Sequence, residues 1–334
     1  MEDLVVELPT DEGVVRAVRG VSFELGAGEV LGMVGESGAG KSVTAMAVMG
    51  LLPTWATVGG SVRFRGHELL DAPAKRLAAL RGRHMAMVPQ DPTTALNPVH
   101  TVGWHLVEAV RAHHDVSRKQ AEARAVELLE LVGIPEPDRR AGSYPHEFSG
   151  GMRQRVLVAM AMANDPELII ADEPTTALDV TVQAQVLETI EKARAQTGAS
   201  LLIITHDLGV VARVAGRVMV MYAGRPVEVG PVADVYGRAR MPYTVGLLAS
   251  LPRLRPEAGP LPQIRGTPPS PVELPPGCPF WPRCPLARPA CRETEPRLRP
   301  VVGHGHRAAC HFAEELDGDA SADLFVRDRA EGRP

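Results

Sequence analysis

A phosphate-binding loop is predicted at Gly35-Glu36-Ser37-Gly38-Ala39-Gly40-Lys41-Ser42, which matches G-x-x-x-x-G-K-[ST] at every fixed position. The sequence predicts a buried strand before the loop, over Glu29 to Val34, and a helix that begins at the end of the loop, over Lys41 to Met49. Glycines let backbone N–H groups turn around phosphate oxygens, and the positive end of the helix dipole adds to that attraction. We therefore expect Lys41 to reach the β- and γ-phosphates of ATP and Ser42 to ligate Mg²⁺.

An acidic pair, Asp172 and Glu173, follows the apolar run Leu168 to Ala171. Asp172, at the end of a predicted strand, is placed to hold the Mg²⁺ shell, and Glu173 is placed to polarise the attacking water. Alone, such a pair is more often a helix cap or a solvated strand end. The phosphate-binding loop earlier in the chain favours the catalytic interpretation.

The part of the chain before Pro252 alternates short β-rich runs with helical stretches, which predicts an α/β fold. Val21 to Leu25 alternates like a half-buried strand, and Leu201 to Ile204 is typical of a parallel strand covered on both faces. From about residue 100 to 163 the pattern is helical, with Ala121 to Val132 amphipathic. We expect a nucleotide-binding domain over residues 1–251 with this helical region inserted into it.

The composition changes after Pro252. Fifteen of the thirty prolines lie between Pro252 and Pro300, and all four cysteines lie beyond Gly277. Since proline disfavours long helices and central strands, residues 252–334 are predicted to form a separate, loop-rich appendage. Its last stretch, from about Glu314, is predicted to be frayed.

The composition as a whole is that of a soluble globular protein, with 45% apolar and 23% charged residues among 334. A net charge of −4 argues against general nucleic-acid binding. The first residues lack the pattern of a signal peptide, and the longest apolar run, Val156 to Ala163, is too short to span a membrane. We expect an intracellular chain, so a transport role requires other subunits to supply the pore.

The segment Phe148-Ser149-Gly150-Gly151-Met152-Arg153-Gln154-Arg155 resembles the signature motif of ABC-type ATPases, usually written LSGGQ. Three further motifs follow the order of that family: Gln90 resembles the Q-loop glutamine, Ala177-Leu178-Asp179 the D-loop, and His206 the switch histidine. The resemblance spans about residues 3 to 250. It implies an ABC-type ATPase core with a helical signature subdomain.

The same resemblance implies that two subunits sandwich two nucleotides, with the signature helix of one facing ATP held by the other. It also implies that His206 contacts the γ-phosphate and that Gln90 joins the Mg²⁺ site to the surface that docks a membrane subunit. The nucleotide-binding residues expected from the loop and the resemblance together are Gly35, Glu36, Ser37, Gly38, Ala39, Gly40, Lys41, Ser42, Val43, Leu8, Ser149, Gly150, Gly151, Met152 and Asp179.

Five stretches resemble the ATP-binding subunits of peptide/nickel-type ABC importers: Phe148 to Arg155, Gln90 to Pro98, Met241-Pro242-Tyr243-Thr244, Gly277 to Phe280, and Arg283 to Pro285. This implies ATP-driven import of dipeptides or oligopeptides at the cytoplasmic face of the membrane. The implied partners are two permease subunits, a second ATPase subunit, which is a paralogue or a copy of this chain, and an extracytoplasmic binding protein.

Other functions remain open at this point. The cargo of an importer of this kind can be nickel, glutathione or an oligosaccharide. A soluble ABC ATPase acting on nucleic acid or ribosomes is a rival, although such proteins typically have two cassettes or long coiled-coil arms, which this sequence lacks. A nucleotide-binding regulatory protein is the third alternative, but it would give no reason for Gln90 or for the C-terminal motifs.

Two positions depart from the pattern of the family. Leu8 stands where an aromatic residue usually stacks on adenine, and Met241 stands where histidine usually precedes Pro-Tyr-Thr. Leu8 can cover the purine by apolar contact, but the stacking contribution is lost. The sequence therefore predicts weak discrimination between ATP and GTP.

The four cysteines, Cys278, Cys284, Cys291 and Cys310, are separated by five, six and eighteen residues, so the tight C-x-x-C pairs of a zinc ribbon are absent. Disulfides are disfavoured in a reducing cytosol, whereas four thiolates suit a [4Fe–4S] cluster. Related importer subunits carry such a cluster in this region, so the resemblance favours it. Zinc, with His304, His306 or His311 as additional ligands, and four unligated thiols are the alternatives. A bound metal would fold the short segment.

Overall fold

The structure, a computed structural model, describes residues 1–176, 178–251, 262–301, 305–316 and 325. Ala177 of the predicted D-loop, His304 and most of the tail beyond Glu314 lie outside these residues. Within the described ranges, no helix combines the length and apolarity needed to cross a bilayer.

The strands form one large sheet, one three-stranded sheet and a small hairpin. In chain order they are β1 (Glu2–Thr10), β2 (Gly13–Val21), β3 (Val30–Val34), β4 (Thr57–Ser61), β5 (Arg63–Phe64), β6 (His67–Glu68), β7 (Met85–Val88), β8 (Leu168–Asp172), β9 (Ser200–Thr205), β10 (Arg217–Tyr222), β11 (Arg225–Pro231), β12 (Arg299–Pro300) and β13 (Arg307–Ala308).

The helices cover the large sheet and fill the region between β7 and β8. They are α1 (Lys41–Met49), α2 (Ala74–Leu80), α3 (Pro92–Ala95), α4 (Val102–Arg111), α5 (Arg118–Leu131), α6 (Pro137–Ala141), α7 (Gly150–Ala161), α8 (Val180–Thr197), α9 (Leu208–Val214), α10 (Val232–Gly237), α11 (Pro242–Ala249) and α12 (Ala290–Glu293). Short 3₁₀ turns occur at Pro145–Glu147, Trp281–Arg283 and Ala313–Glu315.

The large sheet has the strand order β12-β13-β11-β10-β3-β9-β8-β7. Strands β10, β3, β9, β8 and β7 are parallel to their neighbours within this set, and β11, β13 and β12 add antiparallel pairs at one side. Every residue of β3 and β9 is buried, as expected for parallel strands covered on both faces. Because parallel strands end at the same edge, the loops after β3, β7, β8 and β9 meet there.

The prediction of a strand over Val21 to Leu25 is wrong. Strand β2 ends at Val21, and beyond it Phe23 and Met1 exchange N–H and C=O groups without continuing the ladder. The regular ladder lies earlier, where β2 pairs with β1 and buries Val18 and Val21. Tertiary pairing with the start of the chain thus replaces a strand that alternation alone suggests.

The helical region between β7 and β8 contains α4 to α7, and α5 covers most of the predicted amphipathic stretch. Ser117 starts α5 with a capping box, in which its side chain and that of Gln120 each bond the other's backbone N–H. The apolar faces of these helices share one hydrophobic cluster with β7, β8 and β9. This cluster fixes the position of α7, whose first residues are the signature motif, relative to the large sheet.

Within the C-terminal extension predicted over residues 252–334, the described residues 262–301 and 305–316 have mostly irregular backbone and pack against the rest of the chain. The extension's longest helix in the described residues is α12, and its strands β12 and β13 extend the large sheet beyond β11. Phe280, Cys278 and Cys291 are buried in the same hydrophobic cluster as Val220 and Tyr222 of β10. Proline content predicted the irregular backbone, but the burial of these side chains depends on contacts with the cassette that composition does not report.

Candidate nucleotide site

The phosphate-binding loop joins β3 to α1. Gly40, which precedes α1, has φ of 94°, and a Cβ there would lie 2.3 Å from the carbonyl oxygen of Ala17. Only glycine fits this left-handed conformation and close approach without strain. The loop therefore presents its backbone N–H groups at the start of α1, where an anion is stabilised.

Lys41 lies almost fully buried behind the loop. Its ammonium donates to the carbonyl oxygens of Gly35 at 2.8 Å and Glu36 at 3.1 Å. Burial lowers the pKa of Lys41, whereas the nearby carboxylates of Glu173, Asp172 and Glu36 oppose that effect. An ammonium has three donors, so one remains for a phosphate oxygen.

Ser42 and Asp172 contact each other directly. The Ser42 hydroxyl donates to Asp172 Oδ1 at 3.0 Å, which joins the first turn of α1 to the end of β8. Burial raises the pKa of Asp172, partly offset by this hydrogen bond. A hydroxyl beside a carboxylate is an oxygen-donor pair of the kind that Mg²⁺ prefers, so these residues fit the predicted metal.

Glu173 is held in an unusual backbone conformation, with φ of 45°. Its Oε2 atom accepts from Thr176 Oγ1 at 2.8 Å and from Gln90 Nε2 at 3.2 Å, and it lies 3.4 Å from His206 Nδ1. A left-handed conformation costs a non-glycine residue about 1 kcal/mol or more and is concentrated at functional sites. The predicted catalytic residues Gln90 and His206 thus both contact the carboxylate of the third, Glu173.

One cavity at this edge of the sheet contains most of the predicted nucleotide residues. It is lined by Leu8, Val15, Ala17, Ser37, Gly38, Ala39, Gly40, Lys41, Ser42, Val43, Gln90, Glu173, His206 and Pro271. Among the described residues, the other predicted ones do not line it, namely Gly35, Glu36, Asp172, Ser149, Gly150, Gly151, Met152 and Asp179. Most of the loop is therefore brought together with Gln90, Glu173 and His206 within one chain, Asp172 adjoins it through Ser42, and the signature motif lies elsewhere.

The signature motif forms the exposed start of α7. Ser149 caps this helix by accepting from the N–H of Met152 at 3.3 Å. A Cβ at Gly151 would lie 2.1 Å from Val182 Cγ1, so glycine permits the close packing of α7 on α8. Asp179 caps α8 by accepting from the N–H of Val182. The motif residues thus stand at helix starts and do not line the cavity of their own chain.

Glu36 is among the residues predicted to bind nucleotide, but its side chain has another partner. Both carboxylate oxygens accept from Arg283, at 2.6 and 2.9 Å, and the Glu36 N–H donates to the Tyr243 hydroxyl at 2.8 Å. The Arg283 side chain is only 5% exposed, and it also donates to the hydroxyl of Tyr222. The C-terminal extension and α11 therefore hold the phosphate-binding loop from behind.

The sequence motifs by themselves predict no function for the side chains of Tyr243 and Arg283. A signal was present, because both lie in motifs typical of peptide importers, Met241-Pro242-Tyr243-Thr244 and Arg283 to Pro285. Tyr243 packs against Tyr222 and Phe280, with ring centroids 4.6 and 5.4 Å apart. Phe280 belongs to the neighbouring Gly277 to Phe280 motif, and the Arg283 guanidinium lies 5.9 Å from the ring centroids of both Tyr222 and Phe280, so the importer motifs meet at one aromatic cluster behind the loop.

Comparison with known proteins agrees with this geometry. Residues 18–176 match the ABC transporter family, and residues 227–291 match the C-terminal region of oligopeptide/dipeptide transporters. The probable peptide ABC transporter ATP-binding protein y4tR of Sinorhizobium fredii is 50% identical, covering 95% of each chain. The dipeptide transport ATP-binding protein DppD of Bacillus subtilis is 46% identical, covering 96% of this chain and 98% of its own. This chain belongs to the ATP-binding proteins of peptide ABC transporters.

Two further ABC proteins resemble this chain less completely, because one is longer and the other is less similar in sequence. The oligopeptide transport ATP-binding protein OppD of Mycobacterium tuberculosis is 55% identical over 99% of this chain, which spans about half (54%) of that relative. The dimeric cassette MJ0796, in a post-hydrolysis state bound to ADP and Pi, superposes with a TM-score of 0.61 at 25% identity, covering 69% of this chain and 97% of its own. The predicted ABC-type ATPase fold is confirmed.

The four cysteines of this ABC protein converge on one small cavity. Cys278, Cys284, Cys291 and Cys310 all line it, together with apolar residues that include Met241 and Phe280. Burial raises the pKa of Cys278 and Cys310 to about 11 and that of Cys284 to about 12. Four thiols with apolar surroundings are a donor set that suits soft metals and iron–sulfur clusters.

The alternative zinc ligands are placed differently. Within the described residues, no group of three or more His, Cys, Asp or Glu side chains is arranged to hold a metal ion, and this applies to the four cysteines as well as to the histidines. His306 is buried and its Nε2 lies 2.8 Å from Glu228 Oε1, whereas His311 lines the cysteine cavity and its Nε2 contacts the carbonyl oxygen of Thr294. His304 lies outside the described residues. His306 is thus engaged by a carboxylate and does not line the cysteine cavity.

Proposed function

We propose that this chain binds and hydrolyses ATP to drive peptide import through separate membrane subunits. The observation that supports it best is the single cavity where the phosphate-binding loop, Gln90, Glu173 and His206 meet. The relatives named above as peptide transport ATP-binding proteins support the peptide class of cargo. Nickel, glutathione and oligosaccharides remain alternative cargoes, since the ATPase does not contact the cargo.

The residues at the cavity have different roles in ATP binding and hydrolysis. The loop amides and Lys41 bind the β- and γ-phosphates, and Ser42, Asp172 and Gln90 would hold Mg²⁺, which neutralises charge on the phosphate oxygens when bound. Glu173 orients the attacking water and accepts a proton from it. His206 contacts the γ-phosphate. The hydrogen bonds from Thr176 and Gln90 fix the Glu173 carboxylate for that task.

The ATPase unit is proposed to be a dimer, formed with a paralogue or with a second copy. The signature residues Ser149 and Gly150 are exposed at the start of α7 and lie outside the cavity of their own chain. They are free to face a nucleotide bound by the opposite subunit. Within the chain, the buried Gln154 of α7 donates to the carbonyl oxygen of Pro89 at 3.4 Å, so the signature helix contacts the residue before Gln90.

The membrane-facing surface is proposed to lie near the Q-loop, at the cytoplasmic side of the membrane. Val99, Trp104 and Tyr144 are exposed apolar residues, with Val99 70% exposed. The N–H of Val102 donates to the carbonyl oxygen of Ser143, which joins the start of α4 to the segment before Tyr144. We call Val99, Trp104 and Tyr144 the docking patch, and its occupant is a cytoplasmic loop of the permease.

Purification from native membranes tests the transport function. The Glu173→Gln variant, with ATP and Mg²⁺, is expected to retain two polytopic membrane proteins and a second ATPase, identified by mass spectrometry. The same variant with Trp104→Glu added should lose the membrane proteins, because a charge then faces the apolar partner, and it should still bind ATP. Recovery with ribosomal or DNA-bound proteins in the soluble fraction would reject transport and keep the ATPase function.

We infer further that the four cysteines hold a [4Fe–4S] cluster with a structural role. Protein purified without oxygen is expected to be brown and to contain about four iron and about four sulfide per chain. Cys291→Ser should lose most of the iron, and Met241→Leu, which changes an apolar side chain of the same cavity, should keep it. Zinc without iron in the unmodified protein would contradict the cluster.

A further inference from the structure

Part of the C-terminal extension follows the outer edge of β2, next to the nucleotide cavity. The N–H of Arg16 in β2 donates to the carbonyl oxygen of Pro271 at 3.1 Å. Gly13, at the start of β2, has φ of 129°, and a Cβ there would lie 2.8 Å from Val272 Cγ1. Residues 271 and 272 are therefore held closely against the backbone of an edge strand.

The lining of the cavity combines apolar and polar residues. Leu8 and Val15 are direct cross-strand partners on β1 and β2, and both line the cavity together with Ala17 and Pro271. The phosphate-binding loop, Gln90, Glu173 and His206 also line it. A triphosphate bound by the loop leaves the apolar residues of the lining to the base, since ligand sites combine an apolar wall with a few polar groups that fix orientation.

We propose that Pro271 forms one wall of the base-binding part of the nucleotide site, with Leu8 and Val15 as the adjoining surface. This rests on the proposed function, because it assumes that the cavity binds a nucleoside triphosphate. The side chains of Leu8, Val15 and Pro271 carry no hydrogen-bonding group, so they contact the ring faces and edges without distinguishing adenine from guanine. The extension thus replaces part of the surface that an aromatic residue at position 8 would supply.

Equilibrium binding tests the assignment. In the Glu173→Gln background, which prevents turnover, Pro271→Ala should weaken ATP and GTP binding about 3- to 10-fold, as expected for partial loss of an apolar contact. Pyrophosphate lacks a base, so its affinity should be the same with and without Pro271→Ala. This affinity is measured by competition with a ribose-labelled ATP analogue and is corrected for the weaker binding of the analogue to the variant. Pro271→Val should keep most of the affinity. Pro268→Ala, which loosens the same segment away from the cavity, should have no effect.

Each other outcome has a defined meaning. Unchanged ATP affinity in Pro271→Ala, an equal loss of pyrophosphate affinity, or the same loss in Pro268→Ala would overturn the assignment, because each separates Pro271 from the base. A strong preference of the unmodified chain for ATP over GTP would also overturn it. Failure of the unmodified chain to bind any nucleoside triphosphate would reject the proposed function itself.

Discussion

Replacing Glu173 with glutamine is expected to leave ATP binding intact and to lower kcat about 100-fold or more. Glutamine has the same size and retains an oxygen that can accept from Thr176, but it cannot take a proton from the attacking water. General-base catalysis is worth about 10² to 10⁴ in rate, so turnover rather than affinity should change. Phosphate release measured at saturating ATP gives kcat, and equilibrium titration with labelled ATP gives the affinity.

The control for this change is Glu130→Gln, which makes the same substitution at an exposed position of α5. It should leave kcat and ATP affinity unchanged. If Glu173→Gln keeps full turnover, Glu173 does not act on the water. If it loses ATP binding as well as turnover, its role is to hold the loop rather than to assist hydrolysis.

Replacing Arg283 with alanine is expected to destabilise the chain and weaken ATP binding together. The change removes a buried partner from Glu36, whose side chain is 27% exposed, and leaves an unpaired carboxylate in the phosphate-binding loop. Breaking a buried ion pair costs about 3 to 5 kcal/mol, and partial exposure of Glu36 lowers this to about 2 to 4. The uncompensated charge near the triphosphate adds repulsion of about 1 kcal/mol, or about 5-fold in affinity.

Two variants separate these effects. Adding Glu36→Gln to Arg283→Ala removes the repelling charge, so ATP affinity should recover while the free energy of unfolding stays low. Arg288→Ala removes an arginine of the same extension whose partner, Glu315, is exposed, and it should change both quantities much less. Chemical denaturation and ATP titration measure the two quantities. Equal behaviour of Arg283→Ala and Arg288→Ala would show that the contact with Glu36 has no special role.

The sequence predicts a candidate nucleotide site because the residues that such a site needs occur in short, local patterns. A strand, a glycine-rich loop and a helix in succession place Lys41 and Ser42, and the ends of parallel strands place Asp172 and Glu173. Parallel strands share one edge of a sheet, so residues after β7, β8 and β9 had to meet there. The prediction of the core therefore needed no knowledge of side-chain contacts.

The contacts made by the C-terminal extension were not predictable in the same way. Glu36 and Arg283 are 247 positions apart, and no spacing rule relates them. Pro271 is one of fifteen prolines in its region, and nothing in the sequence distinguishes it from Pro268. Composition indicated irregular backbone, but only the folded chain shows which side chains of that backbone reach the nucleotide cavity and the loop.

The bond between Glu36 and Arg283 also has a consequence for biosynthesis. At about 5 to 20 residues per second, roughly 10 to 50 s pass between synthesis of the loop and synthesis of its partner. During that interval Glu36 lacks its partner, and β11, once it is made, still waits for the later-synthesised β13 with which it pairs. The phosphate-binding loop therefore acquires the support of Arg283 only when the extension emerges from the ribosome.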